Sequence, residues 1–396
     1  LGLCALALSA CGKSGSGGSS SSASSSSSSS ESSEGGTATT ASSEGEGEPL
    51  TIGMTIEKTG PLSVLAPAAE GAEAAVAYLN RNGGVNGSPV KLIVQDNASQ
   101  SSRAIQTISQ LKQQGADIII GGAFIQDCYA IEATVAKEEI PNICLSPSDL
   151  KTEAPPFQYG IGPATSEEDQ TLYAYMKEQG VKTVGTLAAT DESGEQAKEW
   201  AKEFGEEENG LKVDVQSTDA EATSFKPQLQ QMLSAGAEGL YFTSCGGVSI
   251  TAASEAVSLN FEGPSVLINC FAGESVAGAV KGFANGHLMT LAPGFMLGAP
   301  FAPKRKEADE LYNKEVGVNE ITTADGWDGV LLAAKAAEES GSTEPAALNE
   351  TLENNFEYYG PWAGGTFTPE DHRGQENEGT LEPAIYTKAG KLERAK

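Results

Sequence analysis

From Leu50 onward the chain alternates short apolar runs with segments in which apolar residues recur every three or four positions. Runs 50–56, 90–96, 118–121 and 142–145 are rich in Ile and Val and read as strands. Runs 184–188, 211–215, 240–243 and 266–268 repeat the series. Between them the periodicity predicts helices over 68–80, 103–113, 129–138, 168–179, 196–207 and 225–235. In the first, Ala69, Ala72, Val76 and Leu79 share one face. Apolar strands that are each followed by a helix imply right-handed βαβ units and a parallel sheet covered on both sides. The pattern runs through four units, breaks near Pro155-Pro156, and runs through four more. The fold class is therefore α/β, with two doubly wound parallel-sheet lobes in tandem.

After Leu291 come Pro293, Pro300 and Pro303, then a helix over about 323–339. What remains is too short for a third domain, so it returns to complete both lobes and makes a multi-crossing hinge. Lobe one is expected over 49–160 and 292–362, and lobe two over 161–291 and 363–396. Ligands of open parallel sheets sit beyond the carboxyl ends of the strands. The loops near Glu57, Gly122, Ser146, Ala189, Ser244 and Asn269 then line a cleft between the lobes. The pattern reaches a two-lobed binding protein and leaves the ligand open.

Ahead of this body the composition changes sharply. Leu1, Leu3, Ala5, Leu6, Ala7 and Leu8 form an apolar run too short to cross a bilayer, ending in Leu8-Ser9-Ala10-Cys11. A cysteine directly after Leu-Ser-Ala resembles the lipobox of bacterial lipoproteins. That resemblance implies cleavage before Cys11 and lipid on its sulfur. With Leu at position 1 and no basic residues ahead of the run, 1–10 reads as a truncated signal peptide. Residues 11–48 hold the lipidated cysteine and a Ser/Gly tract. Such a tract buries too little apolar surface to offset its ordering entropy and is expected to be a disordered tether. On coil scaling it reaches about 35 Å. The expected location is the extracytoplasmic face of a cell membrane, with the lipid as the only attachment.

The net charge of −29 repels phosphate backbones and anionic lipid, so nucleic acid is excluded as a partner. Setting Cys4 and Cys11 aside leaves Cys128, Cys144, Cys245 and Cys270. Two readings stand: disulfides Cys128–Cys144 and Cys245–Cys270 bracing the cleft walls, or four small buried thiols. There is no Cys-x-x-Cys, and the histidines are His287 and His372 alone, which argues against a metal centre or a thiol–histidine nucleophile. Gly12-Lys13-Ser14 lacks the upstream glycine and strand of a phosphate loop. No cofactor and no enzymatic activity are expected.

Residues 78–87, Tyr-Leu-Asn-Arg-Asn-Gly-Gly-Val-Asn-Gly, lead into the run 90–96. This resembles the helix end, Gly-Gly-x-Asn-Gly turn and second strand of type I periplasmic binding proteins, in particular the branched-chain amino acid receptors of ABC importers. Thr59-Gly60-Pro61-Leu62, Ile140-Pro141, Ser146-Pro147-Ser148, Phe225-Lys226-Pro227, Ala324-Asp325-Gly326-Trp327-Asp328 and Gly364-Gly365-Thr366-Phe367 agree with it. The resemblance implies a Venus-flytrap fold and a monomeric receptor. Its ligand would be a small amino acid or similar polar solute, handed to a transporter permease. A ligand-sensing receptor coupled to a signalling partner shares the same pattern.

The resemblance places ligand contacts at Thr59, Phe124, Gln126, Asp127, Ser146, Ser148, Asp191, Ser193, Cys245, Asn269 and Phe271. In the family, hydroxyls and backbone N–H groups after the fourth strand hold the ligand carboxylate. Here Gln126 can donate, whereas Asp127 either caps a helix beginning at Cys128 or pairs with a cationic ligand group. Asp191-Glu192-Ser193-Gly194 keeps the family's glycine and lacks its aromatic ring. Asn269 stands near where the family carries an acid for the ligand ammonium, and Phe271 would supply an apolar wall.

Overall fold

The computed structural model describes residues 48–395 apart from 147–149, 151, 220–221, 246, 285, 299–301 and 375–380. Residues 1–47, with Cys11 and the tether, lie outside the described residues, as does Ser148.

The first sheet comprises β1 (Thr51–Ile56), β2 (Lys91–Asp96), β3 (Ile118–Gly121), β4 (Asn142–Cys144) and β5 (Gln158–Ile161). The second comprises β6 (Thr183–Ala189), β7 (Lys212–Thr218), β8 (Gly239–Phe242), β9 (Ser265–Leu267) and β10 (Leu288–Pro293). A hairpin of β11 (Phe356–Tyr359) and β12 (Gly364–Phe367) precedes β13 (Arg373–Gly374), β14 (Leu381–Tyr386) and β15 (Leu392–Arg394). The first sheet runs β13-β5-β4-β3-β1-β2, and the second β15-β14-β10-β9-β8-β6-β7. Both lobes thus share a parallel core whose order reverses at one strand, β1 in the first and β6 in the second.

The helices are α1 (Pro67–Arg81), α2 (Ser101–Gln113), α3 (Ile125–Glu138), α4 (Thr165–Glu178), α5 (Glu192–Trp200) and α6 (Lys226–Ser234). They continue with α7 (Gly247–Ser258), α8 (Glu274–Val280), α9 (Gly294–Leu297), α10 (Lys306–Glu315), α11 (Ile321–Ser340) and α12 (Pro345–Glu353). Among the described residues no helix is long and apolar enough to cross a membrane.

Side-chain alternation explains the layering. In β3, Ile118 and Ile120 join the core beneath α1 and α11, while Ile119 faces α2 and α3 on the other side. The second lobe has its own core around Tyr241, Phe242, Phe225 and Met232. Helix α11 is buried almost all round, as a helix through the centre of a lobe must be. The turn after α1 behaves as its sequence demands. Gly83 and Gly84 take φ of 102° and 73°, and Asn86 and Gly87 take 51° and 81°, directing the chain into β2.

Each lobe has a fifth strand that the apolar pattern does not announce. Pro155-Pro156 precede β5 and do not end the first lobe. The expected boundary at 363 also moves: β12 pairs with β11, Arg373–Gly374 joins β5, and the return to the second sheet begins at Leu381. Phe356, Trp362 and Phe367 bury into the first lobe's core, which draws this segment there. Helix α3 starts at Ile125, ahead of the expected 129.

Candidate functional site

A cavity of about 540 Å³ opens between the two sheets, at the carboxyl ends of their strands. The first lobe contributes Pro61, Leu62 and Leu65 after β1, Ala123–Ile125 at the start of α3, and Ser146 after β4. The second contributes Asp191 and Ser193 after β6, Thr243–Cys245 after β8, and Ile268–Cys270 after β9. Helix α4 brings Glu168 and Asp169, α11 brings Thr322 and Asp325, and the turn between β11 and β12 brings Trp362. The switch-point loops of both sheets therefore share one space, as the doubly wound topology requires.

Of the expected contacts, Phe124, Ser146, Asp191, Ser193, Cys245 and Asn269 line the cavity. Thr59 does not. Its N–H and Oγ1 donate to Asp96 at 3.2 and 2.7 Å, tying the loop after β1 to the end of β2. Gln126 is not part of the cavity lining, and its Nε2 is buried without a hydrogen-bond partner among the described residues. Asp127 is buried behind the cavity wall, where it accepts hydrogen bonds from Asn97 Nδ2 (2.9 Å) and Ser101 Oγ (2.5 Å). It lies in the first turn of α3, where its charge suits the helix dipole, and Phe124 is the capping residue. Beside it, burial and then the hydrogen bond and charge of Asp127 raise the Glu57 carboxyl well above its ordinary range. Phe271 packs into the second lobe's core, its carbonyl accepting from the Tyr386 hydroxyl, so it is no cavity wall. The apolar walls come from Leu62, Leu65, Phe124, Trp200, Val248, Ile268 and Trp362.

The two acids that matter most escaped the sequence reading as contacts. Asn269 donates its amide to Glu168, so the acid near the expected ammonium position arrives from α4 and Asn269 orients it. Asp325 is 7% exposed, and its Oδ1 has no hydrogen-bond partner among the described residues. Burial first, then the charges of Asp328 and Glu168, hold its carboxyl well above the usual range. The available signal was a pair of acids, Asp325 and Asp328, in the buried first half of α11. Asp169 accepts from Tyr241 Oη at 3.0 Å, and Asp191 caps α5 by accepting from Gly194 N–H at 3.1 Å.

Cys128 is bonded to Cys144, joining α3 to β4, and Cys245 to Cys270, joining two cavity loops of the second lobe. Their Cα–Cα distances are 5.9 and 6.2 Å, within the range of disulfides. A thiol reagent applied to the unfolded, unreduced protein should find none of these four cysteines. Reduction of either bridge should cost about 3 kcal/mol, read as a drop in the urea midpoint. Labelling of all four before reduction would refute the pairing.

Two facing lobes with a shared cavity at their switch points define a two-lobed solute receptor. The chain belongs to the periplasmic binding protein family, whose sequence model matches residues 49–378. Members of this family are extracytoplasmic solute-binding proteins, not enzymes. The chain is 24% identical over 336 residues to the leucine-, isoleucine-, valine-, threonine- and alanine-binding protein of Pseudomonas aeruginosa, covering 80% of this chain and 83% of that one. Its fold matches the branched-chain amino acid transporter substrate-binding protein LivJ of Streptococcus pneumoniae, solved in complex with isoleucine. The TM-score is 0.76 at 19% identity, over 88% of this chain and 99% of that one. A fatty acid ABC transporter substrate-binding protein from Thermomonospora curvata also aligns, with TM-score 0.71 and 14% identity over 88% and 92%.

Proposed function

We propose that this protein is a lipid-anchored receptor on the extracytoplasmic face of the cell membrane. It captures a small amino acid or related polar solute between its lobes and delivers it to the permease of an ABC importer. The observation that carries the reading is the cavity lined from both lobes. Ser146 and the start of α3 lie on one side, and Asp191, Ser193, Cys245 and Asn269 on the other. A solute that touches both walls binds the closed arrangement better than the open one, so occupancy shifts the hinge toward closure. Closure then presents a surface that the permease distinguishes from the empty receptor. The relatives named for amino acids support the ligand class, and Leu8-Ser9-Ala10-Cys11 with its Ser/Gly tract supports the anchor.

A panel of amino acids, small amides, nucleosides and amines tests the reading by thermal denaturation. A cognate solute at a hundred times its Kd should stabilise the protein by about 2.7 kcal/mol. A panel without any stabilising solute, or chemical turnover of a bound one, would overturn the assignment.

A further inference from the structure

Charge is unevenly distributed around the cavity. Its described lining carries Glu168, Asp169, Asp191 and Asp325 and no lysine, arginine or histidine. Asp191 and Asp169 already serve a helix cap and a tyrosine hydroxyl. Glu168 receives the Asn269 amide, a donor without full charge. Asp325 presents a buried oxygen with no partner among the described residues. Helix α11 belongs to the first lobe's core and α4 packs on the second lobe, yet Glu168 and Asp325 are close enough to act on each other electrostatically. A buried orphan acceptor is costly until a donor reaches it. Like charges are relieved by a cation, and Phe124, Trp200 and Trp362 add aromatic rings, a side-chain type that attracts cations, to the same lining.

We propose that the cavity takes a net-cationic organic solute, an amine or guanidinium compound, with its positive head between Asp325 and Glu168. This names the ligand class of the receptor described above and rests on that reading. A plain zwitterion brings a carboxylate that the same acids repel. A solute without a carboxylate, or with a second cationic group, does not carry that penalty. The bound cation bridges one carboxylate from each lobe, so the contact that selects the ligand also draws the lobes together. A bound cation also opposes the burial and like-charge effects that raise the Asp325 carboxyl above its ordinary range.

Calorimetric titration of the full chain with isoamylamine, leucine and isocaproate tests this, because the three share a carbon skeleton and differ in charge. Agmatine serves as the guanidinium probe. Isoamylamine or agmatine should bind at least about tenfold more tightly than leucine, with isocaproate weakest. Asp325→Asn and Glu168→Gln should each weaken the cationic probe by about tenfold or more, with melting curves confirming that both variants fold. Leucine bound as tightly as the amine, with Asp325→Asn without effect, overturns the charge assignment and leaves the receptor reading standing. Failure of these probes together with the whole stabilisation panel overturns both.

Discussion

Asp328→Ala should lower the unfolding free energy of the body by about 3–5 kcal/mol. The Asp328 side chain accepts from Tyr358 Oη at 2.9 Å, Trp362 N–H at 2.8 Å and Ala363 N–H at 2.7 Å, all buried. Around the same turn, Arg305 Nη1 donates to the carbonyls of Gly360, Trp362 and Ala363 at 2.9, 3.0 and 2.8 Å. Alanine leaves three buried donors unpaired and removes a negative charge near a guanidinium that is itself only 5% exposed. The turn then loses its anchor, and Trp362 loses its fixed place in the cavity wall, so solute binding should weaken with stability.

The pH dependence has a definite sign. Burial raises Asp328 to about 7, against the lowering effect of its hydrogen bonds and Arg305. A carboxyl whose pKa rises on folding holds its proton more firmly in the native state. Its contribution is therefore full below the ordinary range near 4 and is lost as the pH rises toward 7. The wild-type urea midpoint should include a gain from this group between pH 8 and pH 5 that Asp328→Ala lacks. Parallel midpoints for the two proteins across that interval would refute the account.

Gly326→Ala is the second large effect, with an expected loss of about 3 kcal/mol or more. Helices α1 and α11 approach at two glycines. A Cβ on Gly326 would stand 1.7 Å from the Ala68 carbonyl oxygen, and one on Gly71 1.8 Å from that of Thr323. Both obstacles are backbone, so no rotamer change relieves them. The helices must part, opening gaps around Ala68, Ala72 and Ala324, which are fully buried. Because α11 carries Asp325, the shift should also reduce affinity for the solute. Gly278→Ala supplies the control, since nothing lies within 4 Å of its Cβ in α8. That change should be neutral or stabilising by about 0.5–1 kcal/mol. Equal urea midpoints for the two variants would show that the helix crossing is not tightly packed.

The lobes were legible because their signal is local. A run such as Ile118-Ile119-Ile120 has little choice but to become a buried strand, and Asn82-Gly83-Gly84 has little choice but to end a helix. The fifth strand, Gln158-Tyr159-Gly160-Ile161, was illegible because its neighbours make it a strand: Gln158 bonds the Cys128 carbonyl and Tyr159 packs on Phe367. Thr59 and Phe271 occupy loops at the expected places, yet the side chains settle on Asp96 and in the second core. A loop's position follows from the fold, whereas the direction of each side chain follows from the partners it meets there.

By itself, then, the sequence determined two doubly wound lobes, the loops facing between them, and the residues whose spacing resembles a receptor family. Periodicity and turn chemistry act over a few residues and are written in order along the chain. The tertiary structure alone decided which acids look into the cavity. Glu168 and Asp325 belong to helices of different lobes and meet only after the chain has crossed between the sheets more than once. Electrostatic character depends on distance and burial, and neither exists until the lobes are folded and paired.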